Sequence, residues 1–366
     1  MVNEILYNGY PLKRPMSFNI KRQEANEIER SRGWALVYGR RKVGKTYLLK
    51  NFTKWDNYYL VRKDGSLTLD SKGQIRQVMP IELTMTVGEQ LNSGQTTIID
   101  EFQRLPSTFL DDIAAYHPKG KLILTGSSFR ITKDVFGSNS PVLGLFAEHR
   151  IGLVEPSDIL SSLSEHMSAE KTVEFSAFAR DPWIVPHLSF QDSSEELFRI
   201  AKLFPNAITG LVGEVFQEEE RSYTQLYEAI LRLFGAGYSK SEEIASILSS
   251  RGVIKERTTS AVIPMINNME SMDLVSELPI FRSKRKKAYL LRSPIFELFF
   301  RLADRYDIEN RDVGFKEVEG MVRTVRNIAI QRFVGEIFAK AYRGNLEYSF
   351  DPEIDFIITK KGSPVI

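Results

Sequence analysis

Eight consecutive residues, Gly39-Arg40-Arg41-Lys42-Val43-Gly44-Lys45-Thr46, limit what this chain can fold into more than any other feature. The pattern Gly-x-x-x-x-Gly-Lys-Thr works through three physical parts. Its glycines let the backbone curl until successive N–H groups point at phosphate oxygens. Its lysine reaches the β- and γ-phosphates of a nucleotide as a point charge, and its threonine hydroxyl ligates Mg²⁺. A helix starting near Lys45 aims its positive N-terminal end at the same anion. That arrangement requires a strand leading in and a helix leading out. Trp34-Ala35-Leu36-Val37-Tyr38 reads as a buried strand, and Thr46 to Phe52 reads as the helix. Gly39 to Thr46, with Tyr47 after them, are therefore the candidate nucleotide-binding residues, and Thr46 is a candidate Mg²⁺ ligand.

A phosphate loop needs a carboxylate-bearing strand beside it, and Thr96-Thr97-Ile98-Ile99-Asp100-Glu101 fits. Asp100 would hold Mg²⁺ through its water shell, completing the metal site begun by Thr46. Glu101 would orient and deprotonate the attacking water, with Lys45 as the other catalytic group. The plainer alternative is an acidic pair capping the next helix. A third strand, Lys121 to Thr125, runs into Gly126-Ser127-Ser128. Strand ends of a parallel sheet lie along one edge, so a hydroxyl there can reach the γ-phosphate or the lytic water. Thr125 and Ser127 are the candidate sensors, against the alternative of a Ser-rich turn that caps a helix. Arg130 and Arg150 flank the same edge, but spacing pins neither, and no arginine finger is assigned.

The 366 residues predict two or three domains. A net charge of +2 is too small to imply a nucleic-acid or membrane partner, so such a partner has to be argued from local clusters. The absence of cysteine removes disulfides, thiolate zinc sites and a thiol nucleophile together. His117, His149, His166 and His187 have no ligand-like spacing. With no signal-peptide pattern from Met1 to Lys13 and no membrane-length apolar stretch, the expectation is a cytoplasmic protein. Short β-rich runs at Trp34–Tyr38, Tyr58–Val61, Thr96–Ile99, Leu122–Leu124 and Arg150–Leu153 alternate with helical stretches, which predicts a parallel sheet covered on both faces. Ser157 to Glu219 is helical in pattern, broken at Asp181-Pro182-Trp183. Helical segments at Tyr223–Phe234, Lys240–Ser250 and Thr258–Met272 follow. A short strand, a basic turn and the strand Ala288 to Leu291 complete the outline of a winged helix-turn-helix. The expected fold is α/β: a parallel-sheet P-loop NTPase core over 1–155, a helical lid-like region over 156–220, a winged helix over 221–305 and a partial α/β segment over 306–366.

Tyr38-Gly39-Arg40-Arg41-Lys42-Val43-Gly44-Lys45-Thr46, Ile98-Ile99-Asp100-Glu101-Phe102-Gln103-Arg104-Leu105 and Leu122-Ile123-Leu124-Thr125-Gly126-Ser127-Ser128 resemble the archaeal ATPase family. That family belongs to the signal-transduction ATPases (STAND) among the AAA+-related P-loop proteins, and the resemblance runs over nearly the whole chain. It implies ATP hydrolysis with ADP as product, and ATP rather than GTP; no guanine-reading Asn-Lys-x-Asp motif occurs. The opening Phe18-Asn19-Ile20-Lys21-Arg22-Gln23-Glu24 is similar to a family motif that lies beside the adenine, which makes Arg22 and Glu24 candidates there. One departure is visible: where members often carry Gly-Gly-x-Pro-x-Tyr-Leu, this chain reads Arg180-Asp181-Pro182-Trp183-Ile184-Val185-Pro186-His187-Leu188.

In the winged-helix outline, Lys255-Glu256-Arg257-Thr258-Thr259-Ser260 opens the expected recognition helix with groups suited to phosphates and base edges. The wing, Arg282-Ser283-Lys284-Arg285-Lys286-Lys287, carries five cations in six residues, a density suited to double-stranded DNA. The other reading makes this module a contact surface for a protein partner or a homo-oligomer. Phe350-Asp351-Pro352-Glu353-Ile354-Asp355-Phe356-Ile357-Ile358 looks like the first half of a PD-(D/E)xK nuclease core, with Asp355 at its first acidic position and Glu336 as an added ligand. No Glu-x-Lys follows before Ile366, so a nuclease-incompetent remnant or fragment is expected.

Overall fold

The computed structural model describes residues 6–7, 10–11, 19–127, 129–219, 221–283, 287–350 and 353–365. A short antiparallel pair, β1 (Leu6–Tyr7) and β2 (Tyr10–Pro11), opens it. The described residues divide into two compact units, one made of 22–152 with 214–221, the other of 1–21, 153–213 and 222–366.

The first unit is built on a seven-stranded sheet. Its strands are β3 (Trp34–Tyr38), β4 (Asn57–Val61), β5 (Leu67–Ser71), β6 (Gln74–Val78), β7 (Thr96–Asp100), β8 (Lys121–Gly126) and β9 (Phe146–Arg150), in spatial order β6-β5-β4-β7-β8-β3-β9. β4, β7, β8, β3 and β9 are parallel, and β5 and β6 form an antiparallel edge. Strand alternation sends successive residues to opposite faces, and both faces are covered. Trp34, Leu36, Tyr59, Ile99, Leu122 and Leu124 enter one buried cluster, while Ala35, Val37, Tyr58, Ile98 and Ile123 enter the other. The helices of this unit are α1 (Gln23–Arg30), α2 (Lys45–Phe52), α3 (Leu83–Asn92), α4 (Thr108–Ala114) and α5 (Ile131–Phe136).

Two local expectations change. The last strand is Phe146–Arg150 rather than Arg150–Leu153: Trp34 pairs with Phe146 and Tyr38 with Arg150, and the Ile151 N–H donates to Tyr38 O at 2.7 Å. The apolar run Ile151–Val154 is buried beyond the strand, so hydropathy pointed to the wrong stretch. The hairpin β5–β6 was not expected. Its two-residue turn is Lys72-Gly73, both in left-handed conformation (φ 51° and 92°), the turn geometry whose twist matches that of antiparallel strands.

The second unit carries α6 (Pro156–Ser164), α7 (Ala169–Ala179), α8 (Ser193–Leu203) and the first part of α9 (Pro205–Glu218). Between α7 and α8 the chain forms a 3₁₀ turn at Pro182–His187, as the two prolines require. There the buried Asp181 accepts a 2.6 Å hydrogen bond from the Ser293 hydroxyl. Next come α10 (Gln225–Gly235), α11 (Ser241–Ser250), α12 (Ile263–Ser271) and an antiparallel hairpin of β10 (Val275–Pro279) and β11 (Lys287–Leu291). The third helix of this group begins at Ile263 rather than Thr258, because 258–262 forms turns ahead of Pro264. The chain ends in α13 (Pro294–Tyr306), α14 (Phe315–Tyr342) and a sheet of β12 (Asn345–Phe350), β13 (Glu353–Lys360) and β14 (Ser363–Pro364). Helix α13 buries Phe296, Phe299 and Phe300, which anchors it in the core. No helix among the described residues is long and apolar enough to cross a membrane.

Candidate nucleotide site

Strand β3 delivers the chain into the phosphate loop, and the loop geometry follows from its glycines. Gly39 has φ 154°, and a Cβ there would lie 1.9 Å from the Ile151 carbonyl oxygen, so only glycine fits. Gly44, in left-handed conformation at φ 88°, is the N-cap of α2, and Lys42 is also left-handed at φ 65°. Alternation of this kind turns successive N–H groups toward one concave side, where an anion binds. Arg22 braces the loop from α1's start: its guanidinium donates to Val43 O at 2.9 Å and to Gly152 O at 3.2 Å, and pairs with Glu24.

Lys45 is folded onto its own loop, donating to Gly39 O at 2.7 Å and Arg40 O at 3.1 Å. Burial lowers its ammonium from the ordinary 10.5 to about 8, with Glu101, Asp100 and Glu218 working against the fall. Arg40 is buried and Tyr47 is half exposed.

β3 and β7 are separated by β8, so the carboxylate strand lies one strand away from the loop strand. The structure nonetheless brings the two halves together: the Thr46 hydroxyl donates to Asp100 Oδ2 at 2.7 Å. The Tyr58 hydroxyl, from β4, donates to the same oxygen at 2.6 Å. Among the described residues Asp100 Oδ1 is buried with no hydrogen-bond partner, and so is the Thr125 hydroxyl, on the residue paired with Asp100 across β7 and β8. Burial pushes the Asp100 carboxyl up, and the hydrogen bonds from Tyr58 and Thr46 pull it back. This donor set fits a hard divalent cation. All its ligands are oxygen, one carboxylate oxygen lacks a partner, and Thr46 gives its proton to Asp100 while keeping its lone pairs for a metal.

Glu101 follows with φ 61°, a left-handed non-glycine residue, and that bend turns its carboxylate away from the strand direction. Three groups converge on its Oε2: Gln103 Nε2 at 2.7 Å, the Ser127 hydroxyl at 3.1 Å and Arg104 at 3.3 Å. Ser127 thus lies beside Glu101, and Thr125 lies beside Asp100. Ser128, named with them in the sequence, lies outside the described residues. Arg150 stacks over the Phe129 ring at 4.8 Å.

Sequence reasoning missed two contributors. Tyr58 was read only as a strand residue, and nothing local marks it, because its hydroxyl matters only once β4 lies beside β7. The acidic end of α9 was read only as part of the helical stretch from Ser157 to Glu219. Yet Glu214 and Glu218 lie 3.1 and 2.9 Å from the Arg41 guanidinium. In the tail, Glu336 is ion-paired with Arg180 at 2.9 Å and Asp355 accepts from Gln331 at 3.2 Å. No cluster of three or more acidic or histidine residues able to hold a metal occurs among the described residues.

Residues 31–140, which contain the phosphate loop, the acidic pair and strand β8, match the family described as AAA domain. No curated protein matches the chain. Among solved structures it is similar to the ORC2 protein of Aeropyrum pernix in its ADPNP–ADP complexes, at 14% identity and TM-score 0.44 over 86% of this chain and 96% of that one. It is also similar to a signal-transduction ATPase with numerous domains and a tetratricopeptide-repeat sensor from Pyrococcus horikoshii, at 13% identity and TM-score 0.34 over 90% of this chain and 50% of that one. A third is the Aeropyrum pernix ORC1 protein in complex with DNA, at 13% identity and TM-score 0.28 over 78% of this chain and 93% of that one. The family match and the loop geometry carry the assignment, and these distant likenesses add nothing to it. Residues 31–140 match the AAA domain family and hold the loop geometry of a P-loop ATPase.

Proposed function

We propose that residues 39–47 bind MgATP, that Glu101 activates the water that hydrolyses it, and that the α10–β11 module couples turnover to duplex DNA. The observation that carries the nucleotide part is the 2.7 Å contact between Thr46 and Asp100, which joins the phosphate loop to the acidic strand. Thr46 and Asp100 would hold Mg²⁺, which would supply positive charge to offset that of the phosphates. Lys45 leaves its loop carbonyls for the phosphates and offsets charge that develops as the terminal P–O bond breaks. Three donors already hold Glu101 Oε2, so Oε1 is the oxygen to take a proton from water as that water attacks phosphorus. ADP and inorganic phosphate leave, and Thr125 and Ser127 are the hydroxyls placed to report which is bound.

The DNA part rests on order and charge. Three helices and a hairpin follow one another as in a winged helix, and the Tyr289 N–H donates to Ser239 O at 2.7 Å, tying the α10–α11 connection to β11. Lys255, Arg257, Thr258 and Ser260 are exposed ahead of α12. Of the wing cations, Lys284, Arg285 and Lys286 lie outside the described residues, and Lys287 pairs with Glu277 at 2.6 Å.

One observation favours a second reading, in which the module binds a protein and nucleotide acts as a switch. The turn after β10 is engaged by the tail sheet: the Phe281 N–H donates to Tyr348 O at 2.9 Å. ATP turnover measured with and without duplex DNA, across salt concentrations, separates the two. Lys45→Ala should abolish nucleotide binding. Glu101→Gln should keep binding and lower turnover on the order of 10²- to 10⁴-fold. Unchanged hydrolysis in Glu101→Gln removes the mechanism, and turnover and affinity indifferent to DNA leave the protein-binding reading.

A further inference from the structure

The nucleotide reading leaves three carboxylates without a role. Helix α9 has Glu214 and Glu218 near its end and Glu219 just beyond, and residues 214–221 belong to the same compact unit as the phosphate loop. No basic residue occupies the last turn of α9. Negative charge at a helix C-terminus opposes the helix dipole, so this composition costs the helix stability and needs an offset from elsewhere.

The offset comes from the phosphate loop and the sensor loop. Glu214 and Glu218, four residues apart, project from one face. Both engage the same side chain, Arg41 of the phosphate loop: Nε lies 3.1 Å from Glu214 Oε2, and Nη1 donates to Glu218 Oε1 at 2.9 Å. Glu219 Oε1 accepts the Phe129 N–H at 2.5 Å, just past β8. Glu218 Oε2 is buried, and the Ser127 hydroxyl is a hydrogen-bonding group beside this carboxyl. Arg41, Lys45, Glu101 and Ser127 are the groups that face this carboxyl, and burial pushes it up. A guanidinium and a loop N–H are the donors that phosphate oxygens take at such sites.

We propose that Glu214, Glu218 and Glu219 form an acidic plug, taking donors at the phosphate loop that phosphate oxygens would take, and that a nucleoside triphosphate binds by displacing it. The proposal rests on the nucleotide reading above. A triphosphate that took Arg41 would compete with the plug for its donors, and their like charges repel. Part of the intrinsic affinity is therefore spent on releasing 214–219. Ser127 and Glu101, which face Glu218, are the groups placed at the transferring phosphate, so release is felt more by ATP than by ADP.

The test is calorimetric titration of MgATP and MgADP into the full chain, the Glu214→Gln/Glu218→Gln double variant, and Lys45→Ala. Glutamine keeps the shape and the acceptor for Arg41 while removing the charge, and thermal melting checks that the fold is kept. The double variant should bind MgATP on the order of tenfold tighter than the parent, with a smaller gain for MgADP. Hydrogen exchange at 214–221 in the unaltered protein should rise on adding MgATP, a readout that needs no variant. Equal or weaker MgATP binding by a folded double variant, or exchange at 214–221 that stays level or falls, overturns the plug and leaves the phosphate loop standing. An unaltered protein that does not bind MgATP, or a Lys45→Ala variant that binds as well, overturns the nucleotide reading, and the plug falls with it.

Discussion

At the scale of single residues, two positions are set by physics that leaves little choice. Gly39 is one, since any side chain there would run into the Ile151 carbonyl. Gly39→Ala should cost on the order of 3 kcal/mol of stability and disturb nucleotide binding, as read by urea unfolding beside a titration with MgATP. Lys45 is the other. Its folded value, lowered to about 8, lies below the ordinary 10.5, so between those values the unfolded chain holds the proton more firmly than the native one. Its burial penalty is therefore fully present below about pH 8, and this group adds stability as pH rises through the window. Nucleotide affinity runs the other way. Phosphate needs the ammonium, so above about pH 8 binding takes up a proton and affinity should fall by up to about tenfold per pH unit. Titrations on either side of pH 8 in buffers of different ionisation enthalpy would show the uptake, and a flat profile would contradict it.

At the scale of elements, the insertion of β8 between β3 and β7 matters most. It places the end of β8 next to both the phosphate loop and the acidic strand, with Thr125 facing Val37 on one side and Asp100 on the other. Three separate stretches of sequence thus converge on one sheet edge, where a single nucleotide could touch all of them. The hairpin β10–β11 is the element on which the proposed DNA contact turns. Neutralising Arg282, Lys284, Arg285, Lys286 and Lys287 should weaken duplex affinity about equally for all sequences and flatten its dependence on salt. Fluorescence anisotropy at several salt concentrations measures both, and an unchanged slope would shift the assignment to a protein partner.

At the scale of the molecule, the two units offer a direct check on where ligand energy goes. Ligand that binds only the folded form stabilises it by mass action, by about 2.7 kcal/mol when its concentration is a hundred times the dissociation constant. Scanning calorimetry with MgATP should therefore raise the transition of the unit containing residues 22–152, and Lys45→Ala should abolish the rise. α9 passes from one unit into the other, and its last residues contact the phosphate loop.

The sequence by itself determined the phosphate loop, the acidic strand and the alternating α/β order. Each is written in short-range pattern: glycines where left-handed backbone is needed, and apolar strand residues ahead of a helix. It also located strand β8 and helices α2, α10 and α11. It misplaced β9, because an edge strand with Glu148 and His149 on it reads as polar while the buried Ile151–Val154 beyond it reads as strand. Only the tertiary structure decided that Tyr58 reaches Asp100, that three donors lock one oxygen of Glu101, and that the acids of α9 close on Arg41. Those contacts join residues from 2 to 177 positions apart. The chemistry of the longest-range ones depends on which strands become neighbours and where a distant helix ends, and no local pattern of residues encodes that.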